Sequence, residues 1–490
     1  MKRRPPVILA GLSVLSLGFF LAIAARGSGL GFPLDDAWIH QTYARNLVLH
    51  GEWAFTPGVP SSGATSPLWV LLLAPGVWFG LAPLVWSYFL GLLLLFATSL
   101  IGGKVAKTLL PEKKHAPVWV AAVLLFEWHL VWAAGSGMET LLFAWFATLV
   151  MARSFVFPMN RDQPASYWFV GGILVGLATL TRPEGLTLLA PLLLSIAFKS
   201  SSHQMRARGF ASALLGFALL FIPYLLFNRS LSGSFWPNTF YAKQAEYASL
   251  LERPLLRRLA SLFGLPLVGV GALLVPGFLL QLAHAIRRRH WGQLFAGAWL
   301  IGFIVLYAIR LPVTFQHGRY LIPVIPLYVA FGLVGTLRTL KPNVDALVPR
   351  LLSRVLLAAL PLVLLIFWVL GGRAFASDVA FINEEMVAAA EWATDNIPPD
   401  STVAAHDIGA LGYFTKHQIV DLAGLVSPDV IQFIRDETRL AAYLDSQEAD
   451  YLISFPSWYP RLVSRAQLIF QTSGPTSPAL GAENIAIYRW

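Results

Sequence analysis

The run VILAGLSVLSLGFFLAIAA at residues 7–25, followed by GFPLDDAWIH at residues 31–40, decides the class of this chain. The first stretch is apolar apart from Ser13 and Ser16 and is long enough to cross a bilayer. The second sets two adjacent carboxylates, Asp35 and Asp36, just beyond it at one membrane surface. An acidic pair there is a proton acceptor, a metal ligand or a solvated helix cap. Lys2, Arg3 and Arg4 precede the apolar run as they would in a signal peptide. The run is long for that purpose, and Ala24-Ala25-Arg26-Gly27-Ser28-Gly29 is a weak cleavage site, so it reads as a span.

The rest of the chain repeats the pattern. Of 490 residues, 56% are hydrophobic and 13% charged, against about a quarter charged in a soluble domain. The chain therefore reads as an α-helical polytopic membrane protein. Its net charge of +10 does not point to nucleic acid, because most basic residues lie in short loops between apolar runs, as cytoplasmic anchors do. Cysteine is absent, which excludes disulfides, thiolate metal sites and a thiol nucleophile.

Apolar runs recur at 7–25, 84–103, 117–134, 139–152, 167–181, 186–198, 209–227, 262–284, 292–309, 320–337 and 353–371, which predicts about eleven spans. With the N-terminus cytoplasmic, the inner loops carry Lys104, Lys107, Lys113 and Lys114, then Arg153 and Arg161, then Lys199, Arg206 and Arg208. Arg287, Arg288 and Arg289 follow, then Arg338, Lys341, Arg350 and Arg354, so every even connection is basic. This topology holds only if the interrupted run at 66–81 does not span. It is expected to be an interfacial or re-entrant helix in a first outer loop, residues 26–83. Arg253, Arg257 and Arg258 fall outside, on an expected amphipathic surface helix over 240–262. From 373 to 490 no further span occurs. Short apolar runs at 402–405 and 418–422 read as strands and 383–396 as a helix ended by Pro398-Pro399. The expected organisation is a transmembrane module, 1–372, and a soluble extracytoplasmic α/β domain, 373–490.

This topology gathers the unusual polar residues on one face. They are Asp35, Asp36, Arg45 and Asn46 in the first outer loop, Glu139, Arg182 with Glu184, Asn238 with Lys243, and Arg310, His317 and Arg319. A carboxylate such as Asp35 or Asp36 can accept a hydroxyl proton. Guanidinium and ammonium groups at Arg45, Arg182, Lys243, Arg310 and Arg319 can hold a phosphate, with Glu139, Glu184 and Asn238 as further binding residues. Asp36 and Glu139, on separate loops, can share a divalent cation such as Mg or Mn. Each has a plainer reading: Asp35-Asp36 and Glu139 as helix caps, Arg182-Pro183-Glu184 as a break with a local ion pair, Arg310 and Arg319 as snorkelling side chains. His317, and His406 with Asp407, fit structural roles. Trp38, Trp53 and Trp236 are candidates to pack on a sugar or prenyl chain, while Trp69, Trp86, Trp119, Trp132 and Trp168 fit aromatic belts.

Leu34-Asp35-Asp36-Ala37-Trp38-Ile39, Tyr43-Ala44-Arg45-Asn46-Leu47 and Ser61-Ser62-Gly63-Ala64-Thr65-Ser66-Pro67-Leu68-Trp69 together resemble GT-C glycosyltransferases. These are polytopic enzymes that use polyprenyl-phosphate sugars. The closer likeness is to the terminal arabinofuranosyltransferases of the mycobacterial cell wall. Ser136-Gly137-Met138-Glu139-Thr140, Thr181-Arg182-Pro183-Glu184-Gly185, Pro237-Asn238-Thr239-Phe240 and Gly318-Arg319-Tyr320 look like further blocks. So do Asp407-Ile408-Gly409-Ala410-Leu411-Gly412-Tyr413 and Val420-Asp421-Leu422-Ala423-Gly424-Leu425. The resemblance implies that the acidic pair contains the catalytic base and that Glu139 neighbours the site and binds a cation. It implies a multi-pass enzyme of the cytoplasmic membrane, with a polyprenyl-phosphate sugar as donor and a cell-envelope glycan, lipid or protein as acceptor. The sugar does not carry over. The rival reading is a lipid-linked sugar transporter or flippase with no chemistry, although repeat halves are not evident; a membrane scaffold presenting the soluble domain is a third.

Overall fold

The computed structural model describes residues 4–156 and 162–490; Lys2, Arg3 and Arg161 of the topology argument lie outside them. Each expected apolar run is mainly helical, although that at 262–284 is broken at Val268-Gly269, ahead of the helix Val270–Arg287. Among the described residues, seven helices are long and apolar enough to cross a membrane, or eight if one bent pair is a single span. The expected eleven is not reached, and the reasons are local. In the run at 117–134, Glu127 interrupts: its carboxylate accepts from the Leu130 N–H at 3.1 Å, capping a new helix, Trp128–Gly135, bent 56° from Ala116–Phe126. The runs at 139–152 and 167–181 form helices of 17 residues each, about 25 Å of rise against a core of about 30 Å. The run at 186–198 begins as a 3-10 turn, Pro183–Leu188, and leaves only 11 residues of helix.

Close packing is made by small residues. The helices Val270–Arg287 and Ile325–Thr339 approach so closely that a Cβ on Gly277 would overlap the Gly332 carbonyl oxygen, and one on Gly335 the Gly277 carbonyl oxygen. The segment at 66–81 is a single short helix, Pro67–Trp78, capped by Ser66, with Trp78 and Phe79 exposed. The expected surface helix over 240–262 is three pieces, Asn238–Glu246, Ala248–Glu252 and Leu255–Gly264. Pro254, which has no N–H and restricts the residue before it, separates the last two.

The last membrane helix, Leu347–Ile382, runs through residue 372 and continues by a π turn, Asn383–Val387, into Ala388–Asn396. The C-terminal region therefore grows directly from a span. It is built on a five-stranded sheet in the order Gln418–Asp421, Thr402–Ala405, Tyr451–Ser454, Ala486–Arg489, Gln467–Gln471. The first three strands are parallel, linked through Gly409–Phe414 and Glu437–Ser446, and the last two are antiparallel. Val420, Leu440, Leu444, Leu452 and Tyr488 fill one side of it.

This sheet region docks on the helix Asp36–His50. Trp38 packs its ring 4.8 Å from those of both Tyr413 and Phe414. Gly409 has no room for a Cβ because the Asp35 carbonyl oxygen lies against it. Behind the sheet, Glu385 is fully buried and accepts from Thr472, Asn484 and the Ile485 N–H.

Candidate active site

A cavity of about 470 Å³ is lined by the helix Asp36–His50, the turn Pro183–Leu188, the helix Asn238–Glu246 and the span ends near Arg310 and Arg319. Asp36, Ile39 and His40 share one helix face at i, i+3 and i+4, and all three line it. Asp36 Oδ2 accepts from Lys243 Nζ at 3.2 Å and from Arg319 Nη2 at 2.5 Å. Neither contact falls on Oδ1. Burial opposes charge on Asp36, but the Lys243 ammonium and the Arg319 guanidinium outweigh it and hold the carboxyl well below the usual range.

Arg319 arrives there through an unusual turn. Gln316, His317 and Gly318 all have positive φ, 53°, 56° and 67°, costing roughly 1–2 kcal/mol for each non-glycine. His317 Nε2 holds the turn on Asp378 Oδ2 at 2.8 Å, and Trp132 Nε1 donates to the same oxygen at 2.8 Å.

A second charge group centres on Arg182. Pro183 keeps the residue before it out of the helical region, so Arg182 is extended (φ −153°) and leaves the helix Ala165–Thr181. Its guanidinium reaches Glu139 Oε1 at 3.3 Å, Glu184 Oε2 at 3.5 Å and the Tyr307 hydroxyl at 3.4 Å. Tyr307 donates onward to Glu184 Oε1 at 2.7 Å. The Tyr320 ring joins the two groups, with the Arg182 and Arg319 guanidinium carbons 4.8 and 5.1 Å from its centroid. Arg310 donates to the neutral Gln244 at 3.0 Å and has no carboxylate partner among the described residues. The lining therefore carries four cations, Arg182, Lys243, Arg310 and Arg319, against three carboxylates, Asp36, Glu139 and Glu184.

Asp35, Arg45 and Asn238 are not brought to this cavity. Asp35 Oδ2 accepts from the Gly409 N–H at 2.6 Å and Oδ1 from Ala410 at 2.8 Å. Burial and the nearby Asp407 carboxylate push Asp35 up to about 8, and burial raises Asp407 to about 6. Arg45 donates to the carbonyls of Tyr413 at 2.5 Å and Gly412 at 3.1 Å. Asn238 is buried and gives its backbone N–H to Ser62. His406 lies at the same docking surface, on Tyr459 at 2.7 Å and Glu246 at 3.6 Å. Of the outer tryptophans, Trp236 lines the cavity, whereas Trp38 is spent on the docked aromatics.

His40, Gln244, Tyr307 and Tyr320 line the cavity without having been singled out from sequence. Tyr307 and Tyr320 look there like ordinary span-end aromatics. Only the block Gly318-Arg319-Tyr320 hinted at one of them.

The expected cation ligands, Asp36 and Glu139, each give one oxygen, Oδ2 and Oε1, to protein cations. No cluster of three or more His, Cys, Asp or Glu placed to hold an ion occurs among the described residues.

Residues 379–488 match a family described as a domain of unknown function (DUF8728). No curated protein matches the chain. Solved structures do. ArnT from Cupriavidus metallidurans, bound to undecaprenyl phosphate, aligns at 15% identity over 98% of this chain and 97% of its own, with a TM-score of 0.64. The archaeal oligosaccharyltransferase AglB from Archaeoglobus fulgidus, in complex with an inhibitory peptide and a dolichol-phosphate, aligns at 13% over 92% and 69%, with a TM-score of 0.61; another AglB structure is a complex with Zn and sulfate. The arabinofuranosyltransferase AftD from Mycobacteria aligns at 16% over all of this chain but 42% of its own, with a TM-score of 0.53. At such identities the likeness speaks for architecture: the chain is a multi-pass membrane protein with the GT-C fold.

Proposed function

We propose that the chain is a glycosyltransferase that moves a sugar from a polyprenyl-phosphate donor to a hydroxyl of a cell-envelope glycan, lipid or protein at the outer face of the cytoplasmic membrane. The observation that carries this reading is the charge balance of the cavity. An ionised Asp36 shares it with four cations, and one of these, Arg310, has no acid partner. A phosphate is the group that such an excess suits. The neighbours whose structures hold undecaprenyl phosphate and dolichol-phosphate support the same donor class.

Asp36 is the base in this reading and Asp35 is not, because both oxygens of Asp35 are taken by backbone N–H groups. The acceptor oxygen attacks the anomeric carbon as the bond from that carbon to the phosphate oxygen breaks. The hydroxyl proton passes to Asp36, and the departing polyprenyl phosphate gains one negative charge. Lys243 and Arg319, which hold Asp36 ionised, also make it a poor base while they are bound to it. A donor phosphate competes for the same two cations. Its arrival loosens their hold, raises the basicity of Asp36, and leaves Lys243, Arg319 and Arg310 to stabilise the leaving charge. Direct attack inverts the anomer.

The test is transfer by purified protein from radiolabelled polyprenyl-phosphate sugars, arabinofuranose included, to envelope acceptors, with and without EDTA. One sugar is transferred, and Asp36→Asn loses about 10³-fold in rate. EDTA changes the rate by less than about twofold, since both candidate ligands already have protein cations. Near wild-type transfer by Asp36→Asn would sink the proposal. Donor binding with neither transfer nor hydrolysis across a broad acceptor panel would favour the flippase.

A further inference from the structure

His40 stands one helical turn beyond Asp36 and has no part in the transfer chemistry above. Its Nδ1 is 3.1 Å from the Asp36 backbone carbonyl oxygen. A carbonyl only accepts, so Nδ1 carries a proton and the ring is anchored through it. The other nitrogen, Nε2, is buried and has no hydrogen-bond partner among the described residues. The same is true of Glu139 Oε2, the oxygen that Arg182 does not hold. Both residues are 3% exposed and both line the cavity.

The two atoms face each other across 4.0 Å, beyond hydrogen-bond reach. In the neutral ring, Nε2 is an acceptor and Glu139 Oε2 is another. Each is short of one hydrogen, and no group among the described residues supplies it. The pair also joins two parts of the cavity: His40 is held by the backbone of the base, and Glu139 by the second cation group. A molecule that reached from one to the other would have to offer two donors close together.

We propose that His40 Nε2 and Glu139 Oε2 form a subsite for two adjacent hydroxyls of the donor sugar, one donating to each. The subsite rests on the reading of the cavity as a donor site and adds to it what the sugar must carry. A buried pair of acceptors discriminates strongly, because a sugar lacking one of the hydroxyls leaves an acceptor unmet in a place water does not freely reach. His40 and Glu139 are thus specificity residues, while Lys243, Arg310 and Arg319 recognise the phosphate whatever sugar it bears.

The experiment compares the affinity of the purified protein for undecaprenyl phosphate with that for undecaprenyl-phosphate glucose, mannose and arabinofuranose, without acceptor. Monodeoxy analogues of the tightest binder complete the panel. His40→Asn keeps a donor where Nδ1 was and removes the group at Nε2; His40→Gln keeps a polar group near Nε2. One sugar should add at least about tenfold to wild-type affinity, and one deoxy position should remove most of it. His40→Asn should bind undecaprenyl phosphate as wild type does but lose the sugar's contribution, and His40→Gln should restore part. The same sugar contribution in wild type and His40→Asn would overturn the subsite, as would equal loss in both variants or discrimination seen only with added zinc. If undecaprenyl phosphate binds and no sugar improves on it, the subsite alone falls. If undecaprenyl phosphate does not bind the wild type, the donor reading falls with it. The deoxy arm needs no variant to fold.

Discussion

Asp35 and Asp36 are the same side chain on successive residues, and they face two different regions. On the cavity side, Asp36 meets an ammonium and a guanidinium and is held ionised. On the docking side, Asp35 meets two backbone N–H groups and another carboxyl, with no cation partner among the described residues, and burial pushes it up to about 8. A helix turns about 100° per residue, so neighbours at its start point in different directions. What each carboxylate can do is then decided by partners far away in sequence: Lys243 and Arg319 for one, Gly409 and Ala410 for the other. In the proposed reading one takes a proton beside a phosphate, while the other holds a domain.

The sharpest way to break this comparison is to neutralise each acid in turn. Asp36→Asn should lose about 10³-fold in transfer, whereas Asp35→Asn should stay within about tenfold of wild type. Asparagine at 35 has one acceptor oxygen and an amide that would oppose an N–H, so one of its two bonds is lost. Its effect should appear as faster proteolysis near the link at 397–401. Equal loss of initial rate in the two variants would erase the distinction between the regions.

None of that distinction was legible in the sequence, where the two aspartates are interchangeable. The spans were legible because hydropathy is a local property: the runs at 84–103, 292–309 and 353–371 all lie within long helices. The strands expected at 402–405 and 418–422 are legible for the same reason, and form at 402–405 and 418–421. Glu127 was invisible as a break, since one polar residue barely lowers the hydropathy of its window. It shows as a cap only once the Leu130 N–H is seen on it. Most of the cavity's charges were also collected from sequence, because ionisable groups at a membrane mouth are conspicuous. Which of them meet was not. Lys243 and Asp36 are 207 positions apart, and no periodicity links them. Arg45 was misplaced for the converse reason: a loop arginine looks ready for a phosphate until Gly412 and Tyr413 are found beneath it.

Arg45 supplies the second test, on the docking side alone. Its guanidinium bridges the carbonyls of Gly412 and Tyr413 and lies 4.9 Å from the Tyr413 ring centroid. Arg45→Ala should weaken docking by about 1.5–3 kcal/mol, the scale of hydrogen bonds made by a charged donor. Arg45→Lys should restore only part, because an ammonium does not reproduce the planar fork. The thermal midpoint in detergent and protease sensitivity of the C-terminal region read this directly, while donor binding should move little. A loss of donor affinity as large as that of an Arg310 variant would return Arg45 to the binding site.

The smallest effect expected is a slope with pH, and it separates the regions by sign. Burial, helped by the Asp407 carboxylate, pushes Asp35 up to about 8 in the folded protein against 3.8 for a free carboxyl. Between those values the native state holds more protons than the unfolded one. Stability therefore falls as pH rises through that window. Asp407 and Asp421, both raised to about 6 chiefly by burial, add to the same fall. Asp36 behaves oppositely: its folded value lies below the free one, so its contribution is complete above pH 4 and lost only in stronger acid. From pH 5 to 8.5 the thermal midpoint of the wild type should therefore decline, Asp35→Asn should decline less steeply, and Asp36→Asn should flatten the slope less than Asp35→Asn does, since burial outweighs the Asp36 charge in raising Asp35 and Asp407. If Asp36→Asn flattened the profile and Asp35→Asn did not, the proton would reside on the cavity side, and the roles given to the two aspartates would have to be exchanged.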